Sequence, residues 1–275
     1  MGSYIPLVTW INRIGVHESR PLTASGTSMN CVVVIPARYA SSRLPGKPLL
    51  PIGRQTLIEM VYERAASARC ASRVIVATDD ERIVRAVEAF GGEARLTRVE
   101  HTCGTDRIAE VVRNDLADVD VVVNVQGDEP EVRGEDVEAT VALLRDDPEA
   151  VMSTLACRMS GREAMEDPNQ VKVVVDAVGR ALYFSRAPVP HVRDATERDW
   201  SFLGHLGIYG YRRDFLLKFT ALERTELEKK EKLEQLRALE HGYVIRVGLT
   251  DSERFGIDTP EDLARFKRMR GLADT

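Results

Sequence analysis

Three short runs constrain this chain more than any other feature: CVVVIP at 31–36, RVIVAT at 73–78 and DVVVNVQ at 120–126. A strand sends successive side chains to opposite faces, so a run that is apolar throughout needs cover on both sides. A segment of helical periodicity follows each run. Thr56 to Arg69 carries Leu57, Ile58, Val61, Tyr62 and Ala65 at helical spacing. A helix is expected over Asp80 to Phe90, with Asp79 or Asp80 as N-cap and Gly91 past its end. Further helices are expected at about Thr105 to Leu116 and Glu135 to Arg145, and VMSTLAC at 151–157 is strand-like. This alternation predicts an α/β fold with a mostly parallel central sheet flanked by helices. Ligands on such sheets sit beyond the carboxyl ends of the strands.

The pattern changes after about residue 168. QVKVVVD and RALYFSR flank Ala177-Val178-Gly179-Arg180, which reads as a hairpin. Pro188 and Pro190 enforce an extended segment, and FLGHLGIYGYR at 202–212 is another strand. A smaller, mostly antiparallel lobe is therefore expected at about 160–211, within a domain spanning 29–275. One long helix is expected from about Arg224 to Glu240, ended by Gly242. YVIRVG at 243–248 is a late strand, and Pro260 opens the last helix at its first position.

Composition narrows the function. The chain has 275 residues, a net charge of −5 and 29% charged residues. That acidic balance excludes a global nucleic-acid binder, which would present a basic stripe; any phosphate site must be a local basic loop. Cys31, Cys70, Cys103 and Cys157 show no metal-like pairing and read as reduced thiols. Residues 1–28 are broken by Pro6, Asn12 and Arg13, so they lack the apolar centre of a signal peptide. They are expected to be a disordered extension, or a start upstream of a true one at Met29. No run approaches the length of a membrane span, and a cytoplasmic location without membrane insertion is expected.

The basic loop is IPARYASSRLPGKPL at 35–49. Arg38, Arg43 and Lys47 stand among the small residues Ala40, Ser41, Ser42 and Gly46. Cationic donors stabilise charge moving onto a leaving pyrophosphate, and small residues let backbone N–H groups approach phosphate oxygens. Charge alone would equally suit a solvated surface loop. The position after a buried first strand, in an acidic protein, favours a triphosphate cradle. The loop is neither the Gly-x4-Gly-Lys-Ser/Thr motif nor the three-glycine dinucleotide fingerprint.

Asp128, ending a buried strand in VQGDEP, and Asp258, in FGIDTPEDL, lie at strand-to-helix junctions. Two carboxylates joined by phosphate oxygens and water suit Mg2+. Asp258 fits helix capping equally well, with Thr259 a further N-cap candidate. In HTCGTDR at 101–107, Thr105 and Asp106 fit helix caps and Arg107 fits a surface position.

Taken in order, IPARYASSRLPGKPL, ATDD, HTCGTDR, NVQGDEP, PNQVKVV, LYFSRAPVP, HLGIYGYR, LEQLRALEHGY and GIDTPEDL resemble the 3-deoxy-manno-octulosonate cytidylyltransferases over residues 30–266. The resemblance implies a nucleotide-diphospho-sugar transferase-like fold. It implies that CTP and 3-deoxy-manno-octulosonate (Kdo) give CMP-Kdo and pyrophosphate for lipopolysaccharide biosynthesis. It also implies a Mg2+ requirement and a homodimer joined largely through the smaller lobe. Pro36, Ala37, Arg38, Ser41, Arg43 and Lys47 match the family's nucleotide loop. Thr78, Asp79, Cys103, Gly104 and Arg107 match its nucleoside contacts. Asp128 and Asp258 match its metal carboxylates, and with Lys47 and Arg38 they form the implied catalytic set. Gln126, Arg186, Arg193, His205, Tyr209, Glu234 and Gln235 match its sugar-acid positions. Cys103 is a departure, since the family usually shows Ser there.

Physical chemistry weighs the sugar-acid set less sharply. Guanidinium groups at Arg186 and Arg193 suit a carboxylate sugar, though both also fit exposed strand ends. His205 and Tyr209 share a strand face, which fits core packing as well. Glu234 lies nearly opposite the Leu233, Leu236 and Leu239 stripe, so its angle alone makes it solvated. A sialate-activating relative, a metal-dependent glycosyltransferase and a nucleotide sensor are the competing readings.

Overall fold

The computed structural model describes residues 29–40, 44–193, 200–252 and 255–272. The expectation for residues 1–28 and the candidates Ser41 and Arg43 lie outside them.

In chain order the elements are β1 (Cys31–Ala37), β2 (Pro51–Ile52), β3 (Gln55–Thr56), α1 (Leu57–Ala66), β4 (Ala71–Thr78), α2 (Glu81–Ala89), β5 (Glu93–Leu96), α3 (Gly104–Asp115), β6 (Val121–Asn124) and α4 (Gly134–Asp146). Then come β7 (Ala150–Met159), α5 (Arg162–Glu166), β8 (Lys172–Val175), β9 (Ala181–Ser185), β10 (Phe202–Arg212), α6 (Arg213–Phe219), α7 (Glu226–Glu231), α8 (Gln235–Glu240), β11 (Val244–Leu249) and α9 (Pro260–Met269). The chain divides into two compact units. One comprises Ser28–Val141, Ile208–Thr220 and Ser252–Thr275; the other contains Ala142–Gly207 and Ala221–Asp251.

In the first unit β1 is central. It pairs in parallel with β4 and β6, β5 extends the sheet beyond β4, and the second half of β10 runs antiparallel to β6. Cys31 to Ile35 are fully buried, as their apolar pattern on both faces requires. The helices α1 and α3 pack against β1 and β4, and α2 against β4 and β5. The expected flanked, mostly parallel sheet is thus present. Local chemistry starts the helices where the sequence says. Thr56 and Glu59 form a reciprocal capping box for α1, and Asp80 accepts the Arg82 amide at 2.9 Å to cap α2. Gly91, at φ 82°, follows the end of α2. Because β1 and β4 run in parallel with Ala37 opposite Thr78, and Val34 lies opposite Asn124 of β6, their following loops leave from one edge.

In the second unit β11 pairs in parallel with β7, and β8 pairs antiparallel with both β9 and the first half of β10. The hairpin expected at 177–180 forms, with Gly179 at φ 80° and the Asp176 amide donating to the Arg180 carbonyl at 2.9 Å.

The single helix expected over Arg224–Glu240 is two short helices, α7 and α8, separated by Lys232 at φ 55°. The buried pair of Glu228 and Arg237 gives the reason. In one continuous helix nine residues span two and a half turns, which places the two on opposite faces about 13 Å apart along the axis. The break lets Arg237 reach both Glu228 oxygens at 2.6 and 2.8 Å. The sequence pattern also missed α6 and the short, half-exposed β5, whose Glu93 and Arg95 hide its strand character.

Candidate active site

The loop after β1 carries the cations Arg38 and Lys47 among its described residues. Arg38 donates from Nη2 to the His101 carbonyl at 2.6 Å. The loop closes where the Gly46 amide donates to the Tyr39 carbonyl at 2.9 Å, and the Arg82 guanidinium stacks 3.3 Å over the Tyr39 ring. Gly46 has φ 70°, and a Cβ there would stand 3.3 Å from the same ring, so glycine suits the turn on both counts. Lys47 then opens a single 3-10 turn, Lys47–Leu49. Its Nζ lies 2.6 Å from Asp128 Oδ2 and 3.1 Å from Asp258 Oδ1. The side chain is 15% exposed. Burial pushes the ammonium's pKa down, but Asp128 and Asp258 outweigh it and hold the group above the ordinary lysine value.

The two acidic loops are joined through their main chains, the Ile257 amide donating to the Asp128 carbonyl at 2.9 Å. Gly127 lets the Asp128 turn approach β1, since a Cβ there would lie 3.0 Å from the Pro36 carbonyl oxygen. Helix capping at this junction does not fall to Asp258. Thr259 caps α9 in a capping box with Asp262, while the Asp258 carboxylate reaches Lys47. Two carboxylates converging on one cation fit Mg2+, which takes one or two protein carboxylates and completes its shell with phosphate and water oxygens. Among the described residues no group of three or more His, Cys, Asp or Glu side chains forms an all-protein cage.

Beside this lies a second cluster. Thr78 ends β4, fully buried, and Asp79 follows it. Arg107, which by its place on a first helical turn also fits a surface position, is 0% exposed. Its Nη2 donates to Asp79 Oδ2 at 2.7 Å, and its Nη1 donates to Thr97 Oγ1 and, at 3.4 Å, to the Arg98 carbonyl. Burial draws the guanidinium's pKa down and Asp79 opposes it. The helix cap expected at Thr105 or Asp106 is instead Cys103, whose Sγ accepts the Asp106 amide at 3.4 Å. The thiol is a longer, weaker acceptor than a hydroxyl would be at this cap. Gly104 brings the start of α3 against β1: a Cβ there would lie 3.1 Å from Pro36 Cγ. The sequence reading missed Tyr39, Thr97 and His101. Of these only Tyr39, inside the basic loop, carried a positional signal.

The sugar-acid candidates are distributed over both units. In the first, Gln126 donates to Asn124 Oδ1 at 2.8 Å, and Tyr209 lies opposite Asn124 in the β10–β6 register. In the second, Arg186 donates to the carbonyls of Glu231 at 2.7 Å and Pro168 at 2.9 Å, and Arg193 is exposed. His205 is buried, with Nε2 2.9 Å from Thr154 Oγ1 and its ring edge-on to Phe184. Glu234 is only partly exposed, because it occupies the N-cap position of the separate helix α8 instead of the outer face of a long one. Gln235 is 2% exposed, and its Nε2 has no partner among the described residues.

The cytidylyltransferase family model matches residues 32–264. A 3-deoxy-manno-octulosonate cytidylyltransferase of Syntrophotalea carbinolica is 52% identical over 252 residues, covering 89% of this chain and all of the relative. Its counterpart in Syntrophobacter fumaroxidans is 54% identical, covering 86% of this chain and 94% of that protein. A solved structure of CMP:2-keto-3-deoxy-manno-octonic acid synthetase complexed with CTP is 45% identical and superposes with a TM-score of 0.82, covering 88% of this chain and 98% of that one. A 4-diphosphocytidyl-2C-methyl-D-erythritol synthase from Anaerococcus prevotii, 14% identical at a TM-score of 0.59, shares the fold alone. With a lysine-bridged carboxylate pair beside a basic first loop, and this likeness along nearly its whole length, the chain belongs to the 3-deoxy-manno-octulosonate cytidylyltransferases.

Proposed function

We propose that this protein joins CTP to Kdo, giving CMP-Kdo and pyrophosphate, and so activates the sugar acid for lipopolysaccharide assembly. The observation that carries the reading is the convergence of Lys47 with Asp128 and Asp258 at the strand edge where the loop of Arg38 begins. A triphosphate there meets cations on the loop side and a carboxylate pair opposite. Arg38, Arg43 and Lys47 neutralise the charge that develops on departing pyrophosphate. Asp128 and Asp258 hold Mg2+, which when bound supplies Lewis-acid stabilisation of the α-phosphate. Pro36, Ala37 and Ser41 offer the close backbone approach, and Thr78, Asp79, Cys103, Gly104 and Arg107 position the nucleoside.

Gln126, Arg186, Arg193, His205, Tyr209, Glu234 and Gln235 recognise Kdo and hold its anomeric hydroxyl for attack on the α-phosphorus. The buried Gln235 Nε2, without a partner among the described residues, supports part of that assignment, since a buried donor without a partner is costly unless a ligand satisfies it. The working form is a homodimer joined through the smaller lobe at about 160–211, acting in the cytoplasm. No helix of the described residues is long and apolar enough to cross a membrane. Asp128→Ala should abolish pyrophosphate release from CTP and Kdo while the protein still melts cooperatively; near-normal kcat at saturating Mg2+ would refute the metal assignment.

A further inference from the structure

The Lys47 ammonium lies between the two carboxylates proposed to hold Mg2+. It holds one oxygen of each carboxylate, at 2.6 and 3.1 Å, and the two loops that carry those carboxylates are fixed to each other by the Ile257–Asp128 main-chain bond. Mg2+ needs oxygen ligands at about 2.0–2.1 Å in a near-octahedral shell. It cannot take Asp128 Oδ2 and Asp258 Oδ1 together while the ammonium keeps hydrogen-bonding distance to both. Two cations on one carboxylate pair would also repel each other at short range.

The lysine backbone is anchored. Its N–H donates to the Leu44 carbonyl at 3.2 Å and its carbonyl accepts the Leu50 amide at 3.1 Å. The four-carbon stem above that anchor is the part that can move. A triphosphate entering the loop offers the ammonium new anionic acceptors on the loop's own side.

We infer that Lys47 is a built-in counter-ion for the metal carboxylates: it occupies their site in the nucleotide-free protein and yields it only when nucleotide phosphates take the ammonium. Metal binding to the pair is then coupled to nucleotide binding through one side chain. This rests on the proposed role of Asp128 and Asp258 but adds a property that role does not require, since a carboxylate pair can bind a divalent ion with or without a competing lysine.

The test is Mn2+ binding, read by electron paramagnetic resonance on the full chain with no nucleotide present. Lys47→Gln should bind one Mn2+ at least tenfold more tightly than wild type, and Lys47→Gln/Asp128→Asn should lose that gain. Millimolar Mg2+ should raise the melting temperature of Lys47→Gln and leave that of wild type unchanged. The inference is overturned if wild type and Lys47→Gln bind Mn2+ equally and Asp128→Asn removes binding from both; the carboxylate assignment then survives. If Asp128→Asn leaves Mn2+ binding unaltered in every background, the carboxylate assignment falls too. Wild type alone decides if Lys47→Gln does not fold: tight stoichiometric Mn2+ binding without nucleotide overturns the inference, and its appearance only after CTP is added supports it.

Discussion

Removing the Asp79 carboxylate should cost the fold far more than an ordinary surface substitution. Arg107 is 0% exposed, and Asp79, the carboxylate that ion-pairs with it, has a side chain 16% exposed. In Asp79→Ala the guanidinium keeps the Thr97 hydroxyl and the Arg98 carbonyl but loses its ion-pair partner, while its Nε has no partner among the described residues. Breaking a buried pair by deleting one member costs about 3–5 kcal/mol. The partial exposure of Asp79 places this case near the low end, at about 3 kcal/mol. For a protein of this size that is a fall in Tm of roughly 6–12 °C. Thermal melts followed by circular dichroism measure it. Asp79→Asn, which keeps a hydrogen-bond acceptor, should lose about half as much. Asp79→Ala/Arg107→Met, which removes both charges, should recover most of the loss. A single mutant within about 1 kcal/mol of wild type, or a double mutant as unstable as the sum of two damaging singles, would refute the reasoning.

Three further outcomes follow from the same geometry. Lys172, 0% exposed, donates to the carbonyls of Asp167, Gln170 and Arg186 at 2.9, 2.7 and 2.6 Å, so Lys172→Met should destabilise by about 3 kcal/mol in urea unfolding. Burial pushes the Asp147 carboxyl up, but the two Arg180 hydrogen bonds, each 3.0 Å, more than reverse this and hold it below the usual value. Its contribution is therefore present above the unfolded pKa of about 3.9 and is lost as pH falls through the folded value. The Tm deficit of Asp147→Asn should accordingly be largest near neutrality and shrink below about pH 4. Cys103→Ser should restore a shorter oxygen cap on α3 and raise stability by about 0.5–1 kcal/mol, read as a Tm increase.

The parts legible from sequence were those fixed by local pattern. Cys31 to Ile35 could only be a buried strand, Gly91 could only follow a helix end, and Thr259 before Pro260 announced its own cap. What escaped depended on partners distant in sequence. Nothing in LEKKEKLEQLRALE says that the chain must break at Lys232, because the reason is the meeting of Glu228 with Arg237. Arg107 looks like a surface residue on a first helical turn until Asp79 and Thr97, from other segments, enclose it. The site showed the same division. The basic loop announced itself by its composition after a buried strand, and the acid pair by its place at strand ends. That Lys47 bridges Asp128 and Asp258, 81 and 211 residues away, is tertiary information. The sugar-acid positions carried almost no physical signal of their own; the resemblance supplied them.

The most direct test of the account is pyrophosphate release from purified protein with Mg2+, presenting CTP with Kdo and, in parallel, CTP with sialic acid and CTP alone. The account predicts stoichiometric pyrophosphate and CMP-Kdo in the first case, abolished by EDTA, and none above background in the others. Pyrophosphate with sialic acid but not with Kdo, or CTP binding with no turnover on either sugar, would contradict it.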